Sequence, residues 1–453
     1  MDLRIGVSVL CGVGSVAVSA ATEKKPNIIF IMADDLGYGE LGCYGQKMIK
    51  TPCLDKMASK GLRLTNYYAG TAVCAPSRCS LMTGLHVGHC PIRGNKNVKW
   101  GQKPLPKSYK TVAKYLKDAG YSTAAVGKWG LGSPDNEGDP QKRGFDMFAG
   151  FYCQCNAHEY YPGQVWVNAK PHKLGKRGTM EGYTHYFFTK EAMDFIKKHK
   201  KGPFFLYLAY TIPHSKLEIP KDEPCYKMYQ NRDWPENMKI HAGMITLLDK
   251  DVGRILNLLG NLKIARNTLV IFTSDNGAHK EGGADPKFFN SSGPLRGIKR
   301  DMYEGGVRVP FIAYWPGVIK PGRVSDKVFA HWDFLPTACE LAGIAPPSGI
   351  DGISYVPFLK GDGGGQKKFH DYVYFELHRP DRRGLRKGDW VILQQKVASA
   401  ASPDDATLFL YNLKDDLGEK KNLARKYPEK FQEMKTLLLK ARSKCRAFRF
   451  KGE

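Results

Sequence analysis

Beyond its first 20 residues the chain has no apolar run of the ~20 residues that a bilayer-crossing helix requires, which excludes a membrane span in the remainder. It carries no zinc-finger spacing, no RRM signature and no basic zipper, so nucleic acid is not the expected partner. The spacings Cys74/Cys79 and Cys153/Cys155 match no zinc-site pattern. Acidic residues are in short supply: 44 Asp and Glu stand against 69 Lys and Arg, a formal net charge of +25. A field of that sign draws polyanions. In an exported chain the fitting polyanion is a sulfated or carboxylated glycan. Taken singly, the densest basic runs, residues 197–201 and 440–451, read as solvated faces.

What is present begins with an export signal. A short start containing Arg4 leads into an apolar stretch that ends in the small residues Val18, Ser19 and Ala20, and polar residues follow from Thr22. This is the pattern of a cleaved signal peptide over residues 1–20, leaving a periplasmic, secreted or lumenal protein with no stable membrane span. Of the 11 cysteines one, Cys11, lies inside the signal; export permits disulfides, but the spacing assigns no pairs. With 453 residues and 42% hydrophobic content the mature chain is globular and too long for one small core. A stretch with Gly361, Gly363, Gly364 and Gly365 reads as a linker, dividing a large domain over 23–360 from a smaller α+β subdomain over 366–453.

Residues 27–32 are continuously apolar and run into Ala33-Asp34-Asp35, which reads as a buried strand with carboxylates at its C-terminal end. The pattern repeats at 121–126 before Gly127-Lys128-Trp129, at 203–210 before Thr211-Ile212-Pro213-His214, and at 268–273 before Ser274-Asp275-Asn276-Gly277. Helical stretches at 111–119, 189–199 and 242–259 separate these strands, which predicts an α/β fold with a large, mostly parallel sheet covered by helices. In the smaller part, strands at 372–377 and 390–394 precede a helix at 429–444. Ligands of such sheets gather beyond the carboxyl ends of the strands. There Asp34, Asp35, Asp275 and Asn276 offer hard oxygen donors suited to Ca2+ or Mg2+ rather than zinc. Neighbouring carboxylates tolerate one another best around a cation.

The segment TAVCAPSRCSLMTG, residues 71–84, carries the sharpest signal. Cys74-x3-Arg78 is too short for the Cys-x5-Arg loop of a phosphatase and has Pro76 in its middle. Cys74-Ala75-Pro76-Ser77-Arg78 followed by Met82-Thr83-Gly84 resembles the signature of type I sulfatases, whose cysteine is oxidised during export to formylglycine. The motifs at 33–39, 127–129, 213–214, 274–277, 295–299, 304–310 and 410–416 extend the resemblance along most of the chain.

The resemblance implies an alkaline-phosphatase-like large mixed sheet flanked by helices, with a small C-terminal α+β subdomain. It implies one Ca2+ held by Asp34, Asp35, Asp275, Asn276 and the modified Cys74, with Arg78 steadying the formylglycine. It assigns Lys128 and Lys299 to the sulfate and His214 to protonation of the departing alcohol. A formylglycine hydrate has two hydroxyls on one carbon, one to attack sulfur and one whose deprotonation expels sulfate and restores the aldehyde. The implied partners are a sulfated carbohydrate and the maturing enzyme that generates formylglycine.

One departure matters. Many members of that family read Gly-Lys-Trp-His-Leu-Gly, and the histidine triggers sulfate release; here Gly130 stands in its place. His158, in an aromatic polar segment, and His279, after the Asp-Asn-Gly turn, are the candidates for a substitute base or for substrate contact. A phosphate or phosphonate ester hydrolase of the same superfamily, and a non-catalytic sulfated-glycan binder, are the alternatives left open.

Overall fold

A computed structural model describes residues 24–98, 101–361, 365–395 and 407–450; the expected signal peptide at 1–20 and part of the expected linker lie outside them. The apolar run near the start forms β1 (Asn27–Asp34). It is unbroken because both its faces are covered: Ile28, Phe30 and Met32 enter one core, and Ile29, Ile31 and Ala33 enter the other, all fully buried.

In chain order there follow β2 (Leu62–Tyr68), β3 (Asn97–Val98), β4 (Gly101–Gln102), β5 (Ser122–Lys128), β6 (Met147–Phe151), β7 (Gln164–Val167) and β8 (Lys170–Lys173). The large unit continues with β9 (Phe204–Pro213), β10 (Thr268–Ser274), β11 (Arg308–Tyr314), β12 (Arg323–Ser325) and β13 (Phe329–Ala330). Apart from the β3–β4 hairpin these form an 11-stranded sheet in the order β12-β2-β11-β10-β1-β9-β5-β6-β7-β8, with β13 beside β2. Its centre, from β10 to β6, is parallel. Antiparallel partners flank that centre, β11 against β10 and β7 against β6, so the sheet is mixed.

The three helices expected between the strands are present with shifted ends. The first runs Val112–Asp118, its start fixed by Thr111, whose hydroxyl accepts the Lys114 amide at 3.2 Å. The second begins earlier than expected, at Thr184–His199, because Thr184, His185 and Phe188 are buried; tertiary packing overrides their modest helix propensity. The third spans Glu236–Asn261. Strand β11 escapes a pattern search because Pro310 interrupts it, and Pro310 falls at a register shift in the pairing with β2, where a missing amide is tolerated.

A second, antiparallel sheet consists of β14 (Val373–Leu377), β15 (Arg382–Lys387), β16 (Trp390–Gln394) and β17 (Leu408–Asn412), paired in that order. Val373, Phe375 and Leu377 pack on Tyr68, Val73 and Trp332 of the large unit. The opposite face receives Met434 and Leu438 of the helix Pro428–Lys440. That helix stops short of residue 444, as the chain turns so that the Ser443 amide donates to the Gly88 carbonyl at 3.1 Å. The seam between the two sheets therefore passes the residue preceding Cys74. No helix among the described residues is long and apolar enough to cross a membrane, and none of the ten cysteines from Cys43 to Cys445 is disulfide-bonded.

Candidate active site

The register of the parallel centre gathers the site at one edge. Ala33 of β1 lies opposite Ser274 of β10, so Asp35 and Asp275 leave the sheet side by side, and the Asp35 amide donates to Asp275 Oδ1 at 3.1 Å. Asp35 adopts φ +65°, a conformation that costs a non-glycine residue and clusters at functional sites. Asn276 Nδ2 donates to Asp35 Oδ1 at 2.6 Å. Lys128 ends β5 and crosses β9 to place Nζ 2.5 Å from Asp34 Oδ2. Gly127 permits that close packing: a Cβ there would lie 1.9 Å from the Ala209 carbonyl of β9. Lys299, held by its amide to the Ala278 carbonyl at 2.8 Å, donates from Nζ to Asp35 Oδ2 at 2.7 Å.

Cys74 opens the helix Cys74–Thr83, whose ten residues are all buried and which Gly84 ends in the left-handed conformation at φ +71°. Burial, and secondarily Asp34, push the Cys74 thiol up to about 11, against the pull of Lys128 and Lys299. An unmodified thiol here stays protonated at neutral pH. One turn on, Arg78 is completely buried. Its Nη2 donates to Asp275 Oδ2 at 2.6 Å and lies 3.7 Å from Asp34, and its Nη1 donates to the Lys128 carbonyl at 2.7 Å. Behind the helix, Ser77 Oγ is 3.2 Å from Nδ1 of the buried His331, whose imidazole burial pushes down to about 3.

These groups hold one another in charged states that burial alone would forbid. Burial and the adjacent Asp34 raise Asp275 to about 6, with Arg78 and Lys128 opposing. Burial acts on Asp35 in the same sense, but His214, Lys299, His279 and Lys128 around it outweigh burial and hold its carboxyl well below the usual range. Two oxygens remain without partners, Asp34 Oδ1 and Asn276 Oδ1, both fully buried. Ligating atoms of Asp34, Asp35, Cys74 and His214 come within 4.8 Å of one another. An orphaned carboxylate oxygen and an orphaned amide oxygen beside two further carboxylates form a hard-oxygen donor set, which fits Ca2+. His214 is less suited, since both its ring nitrogens are engaged.

The His214 Nδ1–H faces the Ser215 carbonyl at 2.7 Å, which leaves Nε2 to accept from Lys299 Nζ at 2.9 Å. Nε2 also lies 3.2 Å from Asp35 and 3.5 Å from Glu281. Histidines flank this ring on both sides: His158 at 4.3 Å between centroids and His279 at 5.6 Å. The two differ. His279 spends both nitrogens on backbone, Nε2 on the Pro213 carbonyl at 3.0 Å and Nδ1 on the Glu281 amide at 3.1 Å. His158 has no hydrogen-bond partner for its ring among the described residues; burial, with Lys128 and Lys299, lowers it to about 4, so it is neutral at pH 7.

Two residues enter that no motif marked. Glu281 accepts from Lys299 Nζ at 2.8 Å and pairs with Arg300 at 2.5 Å, and Lys299 holds it down to about 2 against burial. It lies in an irregular loop, where neither periodicity nor spacing singles it out. Gln154 occupies the place where a side chain at residue 130 would begin. Gly130 has φ +78°, and a Cβ on it would sit 2.3 Å from Gln154 Nε2. The Gln154 amide is buried with neither polar atom partnered. The absence of histidine at 130 is therefore matched by a side chain from the adjoining strand's loop, a substitution across space that one sequence cannot display.

The family model for Sulfatase matches residues 26–344, and that for N-sulphoglucosamine sulphohydrolase, C-terminal, matches residues 298–444. The N-acetylgalactosamine-6-sulfatase of Canis lupus familiaris is 34% identical over 373 residues, covering 76% of this chain and 67% of that one. Arylsulfatase A of Homo sapiens is 32% identical over 481 residues, covering 94% and 90%. Among solved structures, Ps i-CgsB in complex with k-i-k-neocarrahexaose superposes with a TM-score of 0.81 at 28% identity, over 95% of this chain and 94% of that one.

Proposed function

The chain belongs to the sulfatase family of the alkaline phosphatase superfamily, and from that membership we propose that this sulfuric ester hydrolase is an exported enzyme acting on sulfated sugars. The reading includes a formylglycine made from Cys74 and one Ca2+ held by Asp34, Asp35, Asp275, Asn276 and the modified residue. The observation that carries it is the setting of Cys74: a fully buried helix start among three aspartates, two lysines and an arginine, with two oxygens left unpartnered. A relative named for N-acetylgalactosamine 6-sulfate and another solved with a neocarrahexaose support a sugar as the alcohol part.

When bound, the metal supplies Lewis-acid polarisation of the sulfate and a lowered pKa for the attacking hydroxyl. The formyl group supplies a hydrated carbon with one hydroxyl for attack and one for release. The chain's own residues do the rest. Arg78 fixes Asp275 and, through the helix it stands on, the position of residue 74. Lys128 and Lys299 bring two buried ammonium groups to the same aspartate pair, set in advance where negative charge shifts between sulfate and leaving oxygen. His214 Nε2, which accepts from the Lys299 ammonium, relays that proton to the departing sugar oxygen, so that the sugar leaves as the neutral alcohol and Lys299 is left as the amine. His158, neutral and unpartnered, takes the proton whose removal releases sulfate, and His279 holds the loop around His214.

Mass spectrometry of the peptide spanning residue 74 from a converting host, with sulfate release measured on sulfated sugars, tests this reading. An aldehyde in place of the thiol, together with turnover that a Ca2+ chelator abolishes, is expected. Full turnover by protein with an intact Cys74 thiol overturns it.

A further inference from the structure

A cavity of about 250 Å3 opens in the seam between the two sheets, and its wall includes Val73, the residue immediately before Cys74. It is tied to the catalytic helix on two sides. Asn95, on the wall, accepts the Ala75 amide at 3.1 Å, and the amide of Arg300, next in sequence to Lys299, donates to the Ala72 carbonyl at 2.9 Å. The far wall belongs to the C-terminal sheet and tail, with Leu377, His378, Arg379 and Phe448. At this size the cavity falls below the ~300–1,000 Å3 of drug-sized sites, which suits a single sugar ring.

The chemistry of the wall is one-sided. Lys96, Arg300 and Arg379 all line it, and no carboxylate among the described residues does. Arg300 pairs outward with Glu281 at 2.5 Å. Lys96 and Arg379 have no carboxylate partner for their side chains among the described residues. The like charges crowd: after burial, Lys96 is the next cause that lowers the neighbouring Lys103 ammonium, and burial, Arg379, Arg442 and Lys96 lower His378 against the opposing Asp381. Lys96 and Arg379 are exposed at the rim of this void, so their summed positive field reaches an incoming anion. Leu377 and Phe448 give the same void an apolar patch for the C–H face of a ring.

We propose that this cavity binds a second anionic group, a carboxylate or a further sulfate ester, on the saccharide whose sulfate is presented to residue 74. The enzyme's substrates are then saccharides with at least two anionic groups. The inference rests on the hydrolytic reading of the Cys74 site.

The test uses the converted, calcium-loaded full chain and its Lys96→Gln and Arg379→Gln variants. The substrates are nitrophenyl sulfate, a monosulfated hexosamine, the same hexosamine with two sulfates, and a disaccharide joining the monosulfated hexosamine to a uronate. Nitrophenyl sulfate and the monosulfated sugar are expected to turn over alike in all three proteins. KM for the doubly anionic sugars is expected to rise about five- to tenfold in each variant, at unchanged kcat and with steep salt dependence in the parent. Whichever doubly anionic sugar shows the effect identifies the group as sulfate or carboxylate. Equal KM changes for mono- and dianionic sugars, or no parental preference for the latter, overturn the proposal. Calorimetric titration of the same sugars onto Cys74→Ala separates the two readings. Charge-dependent binding without desulfation by the converted enzyme refutes the hydrolytic reading and leaves the cavity standing; absence of binding refutes the cavity.

Discussion

Two walls flank the start of the Cys74 helix, one beside Cys74 and one beside Val73, and they treat charge in opposite ways. On the sheet side, Asp34, Asp35 and Asp275 are matched by Lys128, Lys299 and Arg78 at 2.5–2.7 Å, all deep in the protein. On the seam side, Lys96 and Arg379 face a void with no carboxylate on its wall among the described residues. The first arrangement is closed: removing any member strands a buried charge, which costs far more than the pair contributes. The second is open, and its cations can be removed at little expense to the fold because they sit at the surface. The contrast teaches that two charge regimes lie side by side in one fold, paired charge set by the large sheet and unpaired positive charge set by the docking of the small sheet.

The strongest way to break this comparison is Arg78→Met. It leaves Asp275 and Asp34 buried beside each other and the Lys128 carbonyl without its donor. A loss of about 3–5 kcal/mol in denaturant-derived stability is expected, with sulfate release down by at least about a thousandfold. A change below about 1 kcal/mol would mean that the closed wall is not held by charge pairing.

The seam has its own buried titration, and acid reads it out. His86 lies against Tyr374 and Trp332, where burial pushes its imidazole down to about 3; Asp351 opposes this while His89, Arg93 and His370 add to it. The unfolded chain binds the proton near pH 6.5 and the folded chain does not. His86 therefore leaves stability intact above about pH 6.5 and removes it progressively as pH falls toward 3, on the order of 3 kcal/mol by pH 4. His86→Gln, which keeps an acceptor for the Gly88 amide now bonded at 3.1 Å, should be spared that increment. Urea unfolding at pH 7 and pH 4 compares them, and parallel losses in both proteins would remove His86 from the account.

A smaller effect sharpens the picture of the closed wall. Gly130→His drives a Cβ into the Gln154 amide and sets a side chain at φ +78°, at a cost of about 2 kcal/mol. Adding Gln154→Gly should return most of it, so that the pair shows a coupling energy in a double-mutant cycle. Independent, additive losses would show that the two positions do not share one space.

Much of the closed wall was legible in advance because each member sits beside its own strand end or in a dense motif. Asp34 and Asp35, Asp275 and Asn276, Lys128, and Cys74 with Arg78 all lie within two residues of an element boundary or on one helix turn. The helix starts at Thr184 and Glu236 and the strands β2 and β11 were less legible, since buried aromatic, β-branched or proline-broken segments lack a clean period. Glu281 and Gln154 were invisible. Each acts through a partner far along the chain or on a neighbouring strand, and local pattern carries no trace of that partner.

By itself the sequence determined the α/β class with a mostly parallel sheet, the gathering of carboxylates at strand ends and the place of Cys74 in a segment resembling the sulfatase signature, because hydrophobic periodicity and local spacing are written along the chain. Tertiary structure alone decided which oxygens stay unpartnered, which of two histidines keeps a free ring, what fills the space above Gly130, and where unpaired cations meet a void. Those are properties of closure in space: whether a polar atom finds a partner depends on every element packed around it, and only the folded sheet with its small neighbour docked supplies that answer.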